Sequence, residues 1–135
     1  MYRSVVFGCV PIGKRPYLTT AQIKELSDSG HVIGCHTGDH QDVRKLKRKD
    51  WDLQVNKSKR ILEQIIGKLV LYFAYPFGAW KEAAVNKLKK LGIKAAFQLS
   101  GKQSEKKPLY TISRPMVPGN WRATTLYKRI NTTFH

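Results

Sequence analysis

Along this chain the hydrophobic pattern switches repeatedly between short continuous runs and helical spacing. Residues 4–10 (SVVFGCV) are an apolar, β-prone run. Residues 19–29 (TTAQIKELSDS) predict a helix, with Thr19 and Gln22 in capping-box spacing and Gly30 placed as a stop. VIGC (32–35) is a second apolar run. From Asp50, read as an N-cap, Trp51, Val55, Leu62, Ile65 and Ile66 recur at helical spacing until Gly67. LVLYFAY (69–75) is nearly all apolar, the pattern of a strand buried on both faces. Residues 80–91 put Ala84, Leu88 and Leu91 on one helical face and lysines on the other, and Gly92 ends them. IKAAFQL (93–99) predicts a fourth strand, YTIS (110–113) another, and residues 123–131 a last helix.

Strands and helices alternating in this way predict an α/β fold with a mainly parallel sheet, in one domain spanning residues 1–135. Functional groups in such sheets collect beyond the C-terminal ends of the strands. His36 and His40 follow the second run, YPFG (75–78) the third, and the 100–108 loop the fourth, so all three face one rim.

Charge adds a second theme. The 25 Lys and Arg outnumber 9 Asp and Glu, for a net charge of +16. Such a surface attracts anionic partners: nucleic acid, anionic lipid or acidic cell-envelope polymers. The clusters at 45–49, 56–60, 86–90 and 101–107 also read simply as solvated helix faces and loops. No helix-turn-helix, zinc-finger or RNP-like pattern points to specific nucleic-acid binding. No apolar run is long enough for a transmembrane segment, and residues 1–17 lack the pattern of a signal peptide. The two cysteines, Cys9 and Cys35, decide nothing about redox compartment.

The chemistry centres on HVIGCHTGDHQD (31–42). Two imidazoles four residues apart can converge on a divalent ion, and Gly38 between them favours a tight loop over a helix face. The spacing also fits two ordinary loop histidines, and a catalytic zinc needs a third protein ligand. In YPFG, Pro76 and Gly78 predict a sharp turn after the strand, one that also presents backbone N–H groups to an oxyanion. Alternation sends Cys35 to the opposite face from His36, into the core.

Two stretches taken in order, YLTTAQIKELSDSGHVIGCHTGDHQDV (17–43) and LVLYFAYPFGAWKEAAVNKLKKLGIKAAF (69–97), resemble the polysaccharide deacetylase family, the NodB-homology or carbohydrate esterase family 4 domain. The resemblance runs from about residue 4 to residue 130. It implies a distorted (β/α) barrel, here incomplete, and metal-dependent hydrolysis of N-acetyl groups on a chitin-like, peptidoglycan or poly-N-acetylglucosamine chain. It implies His36 and His40 as ligands of a divalent ion, most simply Zn2+, with Thr37 supporting their loop. It further implies that Phe77 offers a backbone N–H to the oxyanion and that Tyr75, Pro76 and Gly78 shape the sugar groove. Arg114 and Trp121, in SRPMVPGNW (113–121), are candidate substrate contacts, with packing as the alternative for each. A cell-envelope or secreted location goes with the family.

Three family features have no counterpart in these residues. The TFDDG strand, source of the third ligand and the base, is absent, and its place falls before Met1. The arginine of many members is Ala74, as in a recognisable FAYPxG branch, and the late Leu-x-His motif is missing. His135, preceded by Phe134, does not take its place. Asp39 and Asp42 are the nearest candidates for the missing carboxylate, although the histidine loop tends to point Asp39 away. The alternative expectation is therefore a non-catalytic homologue that binds glycan or an anionic polymer.

Overall fold

The computed structural model describes residues 17–99, 101–114 and 116–134; the expected first strand, SVVFGCV, and Cys9 lie outside them. Helix α1 (Thr20–Asp28) begins where the capping box places it. The Gln22 N–H donates to Thr19 Oγ1 at 3.2 Å, and the Thr19 N–H donates to Gln22 Oε1 at 2.9 Å. Ile23 and Ser27, one turn apart, are its buried stripe, and α1 packs against the helix Ser58–Ile66.

The next helix starts earlier than expected. Its first segment, α2 (Arg48–Trp51), has Lys47 as N-cap. Asp50 is inside the first turn, where its Oδ2 accepts the Lys47 N–H at 3.1 Å. The carboxylate thus serves the helix start from the third position rather than from the cap. A π-helical stretch (Asp52–Lys57) follows, then α3 (Ser58–Ile66), closed by Gly67 at φ 67°. Helix α4 (Glu82–Lys90) buries Ala84, Val85 and Leu88, and Leu91 is half-buried beyond its end. Lys87, Lys89 and Lys90 fall in its last turn, where cations suit the helix dipole. Helix α5 (Ala123–Phe134) runs three residues beyond the expected 131.

Three strands form a parallel sheet in the order β1 (Tyr72–Ala74), β2 (Ala95–Gln98), β3 (Ile112–Ser113). The VIGC run contributes a single parallel bridge, Cys35 to Phe73. Cys35 donates its N–H to Tyr72 O and accepts from the Ala74 N–H, both at 2.9 Å. Among the described residues all pairing is parallel, with helices between the VIGC run and β1 and between β1 and β2, and a loop with a 3-10 turn before β3.

Burial alternates across the sheet. Cys35, Phe73 and Ala96 are sealed against the helices with Val43, Val55, Val70, Leu88 and Ile93. The opposite face is open: Gly34, His36, Tyr72, Ala74 and Phe97 line a groove of about 470 Å3. The expectation that 69–75 is buried on both faces therefore fails. Tyr72 is 37% exposed because helices cover one side of β1 and the groove lies on the other, and Leu69, 72% exposed, precedes the strand.

Candidate functional site

Two of the three segments expected at one rim, the histidine loop and the YPFG turn, meet there. The His36 and His40 rings stand 4.8 Å apart at 65°, and the His40 and Phe77 rings 4.6 Å apart at 70°. His36 Nδ1 is 2.7 Å from Ala74 O. A carbonyl oxygen only accepts, so Nδ1 carries the proton and Nε2 keeps its lone pair. Burial holds this imidazole below its ordinary pKa; the Ala74 bond opposes that shift, while the charges of His40 and Arg114 reinforce it. His36 is accordingly neutral near pH 7, the form that ligates a metal.

Backbone strain concentrates at the same place. Among the described residues the non-glycine positions with positive φ are Thr37 (62°), His40 (57°) and Phe77 (60°), all in these two loops. Each costs about 1–2 kcal/mol, and most for β-branched Thr37. Such conformations persist only where surrounding contacts over-determine them. Thr37 Oγ1 accepts the Gln41 N–H at 3.0 Å, the loop-supporting role expected of it. At Gly38 a Cβ would lie 3.0 Å from Ser58 Oγ, so the loop sits close against the start of α3 and a larger residue would need Ser58 to shift.

The strongest clamp is one the sequence pattern did not single out. Gln54, 2% exposed, accepts the Asp39 N–H at 2.9 Å and donates through Nε2 to Asp39 Oδ2 at 2.8 Å. The π-helical turn carries an extra residue per turn, which brings both Gln54 and Val55 inward. The available signal was a glutamine on the apolar face between Trp51 and Val55. This clamp also settles where Asp39 points: its carboxylate is engaged by Gln54. Asp42 is engaged by Arg44, with Oδ2–Nη2 at 2.7 Å. Neither turns to the histidines, and among the described residues no group of three His, Cys, Asp or Glu side chains is placed to hold a metal.

The second loop is equally constrained. Tyr75 is fully buried, its hydroxyl donating to Tyr110 O at 3.1 Å, and Pro76 is buried beside it. Burial pushes the Tyr75 phenol well above its ordinary pKa, and Tyr110 adds to the shift. Gly78 adopts φ 67°, where a Cβ would lie 2.5 Å from the Leu99 nitrogen; the YPFG turn is packed onto the end of β2. Trp80 Nε1–H donates to Gln98 Oε1 at 2.9 Å, tying the turn's exit to the same strand. Phe77 itself is 64% exposed, with its ring against His40.

Arg114 follows β3 and is anchored by its own N–H to Gln98 O at 2.9 Å. Its Nε is buried and has no hydrogen-bond partner among the described residues, and its charge reaches His36. Trp121 is half-buried, with Arg129 5.9 Å over its ring. Cys35 lies in the core as expected: it is 1% exposed, its Sγ faces Val55 O at 4.0 Å, and burial raises its pKa to about 11. Among the described residues no helix is long and apolar enough to cross a membrane.

The chain is similar to known proteins in the way this geometry foreshadows. It is 33% identical over 66 residues to a chitooligosaccharide deacetylase of Azorhizobium caulinodans, a match covering 48% of this chain and 31% of that protein. It is 31% identical over 67 residues to a peptidoglycan-N-acetylglucosamine deacetylase of Bacillus cereus, covering 50% and 23%. The crystal structure of another polysaccharide deacetylase from Bacillus cereus superposes with a TM-score of 0.72 at 26% identity, covering 88% of this chain and 38% of that one. The matched region thus spans a third or less of these curated relatives. The polysaccharide deacetylase family model matches residues 8–96, a stretch that contains both histidines and the YPFG turn, and the chain therefore belongs to the polysaccharide deacetylase family.

Proposed function

We propose that this chain is part of a metal-dependent hydrolase that removes N-acetyl groups from a polysaccharide, with His36 and His40 as two ligands of a divalent ion, Zn2+ by preference. The observation that carries this reading is the bond from His36 Nδ1 to Ala74 O, which leaves Nε2 available 4.8 Å, ring to ring, from His40. A neutral imidazole fixed through its other nitrogen is the donor that borderline metals take. The donor set here fits two positions of such a site. The third, with the base, is expected on the TFDDG strand, which these residues lack.

When bound, the ion would polarise the N-acetyl carbonyl and acidify a water. The chain's own residues supply the surroundings. The strained Phe77 turn offers its backbone N–H to the oxyanion, held by Tyr75, Pro76 and Gly78. Arg114, with its unpartnered buried Nε–H, is the candidate to receive a substrate oxygen or a carboxylate of the missing strand. The groove beneath His36, floored by Ala74 and Phe97, takes the sugar or its acetyl methyl. Trp121 is a candidate groove residue further out. The two relatives named above support N-acetylated oligosaccharide or peptidoglycan as the substrate class, and a cell-envelope or secreted setting accompanies that class.

A second reading has its own support: with Asp39 and Asp42 both engaged elsewhere, the chain binds glycan without cleaving it. Acetate release from an N-acetylglucosamine oligomer at saturating Zn2+ or Co2+ separates the two. Release that disappears in His36→Ala supports hydrolysis. Glycan binding with no acetate released selects the binding module.

A further inference from the structure

The cations of this chain are not equally neutralised. Lys24, Arg44, Lys59, Lys102 and Lys107 each have a carboxylate partner. Most of the other described cations have none, and four of these, Arg48, Lys81, Lys87 and Lys90, are set apart by their place around Trp51 and α4. Lys81 Nζ donates to Arg44 O, and Lys87 Nζ stands 4.7 Å over the Trp51 ring. Lys87 and Lys90 line a groove of about 210 Å3 with Trp51, Asp52, Asn56 and Leu91. Asp52 in that lining accepts from Asn56 Nδ2 at 2.7 Å and keeps its negative charge, a single carboxylate against the four cations. Burial and the charges of Lys81 and Arg48 hold Lys87 below its ordinary pKa, so these cations sense one another. Like charges left in such proximity are destabilising unless an anion lies among them.

The position of this track is informative. Lys81 lies three residues after Gly78, and Arg44 four after His40, so its upper end is on the rim that carries the histidines. Lys81, at the N-cap of α4, and Lys90, its last residue, are about 13 Å apart along the helix axis. That is the length of an extended ligand, larger than a single small anion. We infer that this track is a docking surface for an acidic polysaccharide, one that carries carboxylates along its strand, held beside the histidine rim. That the occupant is a glycan rests on the polysaccharide reading above. The alternative polyanion, nucleic acid, fits less well. Trp51 is buried beneath Lys87 and offers no face for bases to stack on. Three of the four cations are lysines, point charges without the planar fork that reads base edges.

The test is equilibrium binding of a fluorescent oligogalacturonate, with chelator present so that the histidines hold no metal. The quadruple variant Arg48→Gln, Lys81→Gln, Lys87→Gln, Lys90→Gln is compared with a control that removes equal charge elsewhere: Arg60→Gln, Lys94→Gln, Lys106→Gln, Lys128→Gln. The track variant is expected to lose about tenfold or more in affinity at low salt, and the control less than about threefold. Equal losses would mean a diffuse charge effect and overturn the proposal, as would no binding by the unaltered chain. Single-stranded DNA that binds more tightly than the uronate, through the same four residues, would reassign the surface to nucleic acid. Because Lys87 packs on Trp51, a triple variant that keeps Lys87 repeats the measurement if the quadruple variant melts early. His36→Ala is expected to leave uronate affinity unchanged. Failure of the deacetylase reading, seen as absent acetate release, is thus distinguishable from failure of the track.

Discussion

Replacing Gln54 perturbs the histidine loop without touching either histidine. Gln54→Ala removes one bond to the Asp39 N–H and one charge-assisted bond to its carboxylate. Asp39 is exposed, so water recovers part of both, and their net loss is about 1–2 kcal/mol. Truncating a side chain that is 2% exposed adds about 1–2 kcal/mol of lost packing. The expected destabilisation is therefore about 2–4 kcal/mol. Its functional consequence is separable from stability. Asp39 precedes His40, whose backbone is held at φ 57°, a conformation that relaxes once the clamp is gone. Loss of such support behind a ligand typically weakens metal binding about 10–100-fold. Gln54→Met distinguishes the two effects, because it fills the space but makes neither bond. It is expected to recover most of the thermal stability and little of the Co2+ affinity, read by absorption titration alongside melting curves. Wild-type Co2+ affinity in a folded Gln54→Met protein would refute the positioning role.

Two further outcomes follow from the packing around the site. Gly78→Ala introduces a Cβ 2.5 Å from the Leu99 nitrogen at φ 67° and is expected to cost about 2–4 kcal/mol in urea unfolding; a loss below about 1 kcal/mol would show that the turn yields freely. Glu63 accepts from Lys59 and, at 2.9 Å, from the Val70 N–H; burial raises its pKa, but these bonds outweigh it and the net shift is downward. A lowered carboxyl pKa stabilises above the unfolded value near 4.5 and is lost as pH falls through the folded one, so Glu63→Gln should be about 1–2 kcal/mol less stable at pH 7, with the gap closing below pH 4.5. A gap constant from pH 7 to pH 3 would contradict the assignment.

Much of this architecture was legible because each element carries its own punctuation. The Thr19–Gln22 box, Gly67 and Gly92 mark helix ends that the structure keeps to within a residue or two. What pattern could not reveal depends on neighbours. The sidedness of β1 was misread because a strand facing a groove is as apolar as one facing a helix, and Tyr72 and Phe97 serve the groove. The helix start was misplaced because Asp50 caps from the third position as readily as from the first. The two histidines were visible as a spacing, but the placement of the His40 ring between His36 and Phe77 arises only where two strand ends are adjacent. Gln54 was hidden because the π-helical turn that aims it inward leaves almost no trace in a 3.6-residue period.

The central claim is that His36 and His40 are partners on one metal ion, and titration of the whole chain with Co2+ or Zn2+ tests it most directly. One equivalent is expected to bind the unaltered protein, with perturbation of both imidazole resonances, and the site is expected to vanish in His36→Ala and in His40→Ala while each variant stays folded. Unchanged metal binding in both variants would contradict the account.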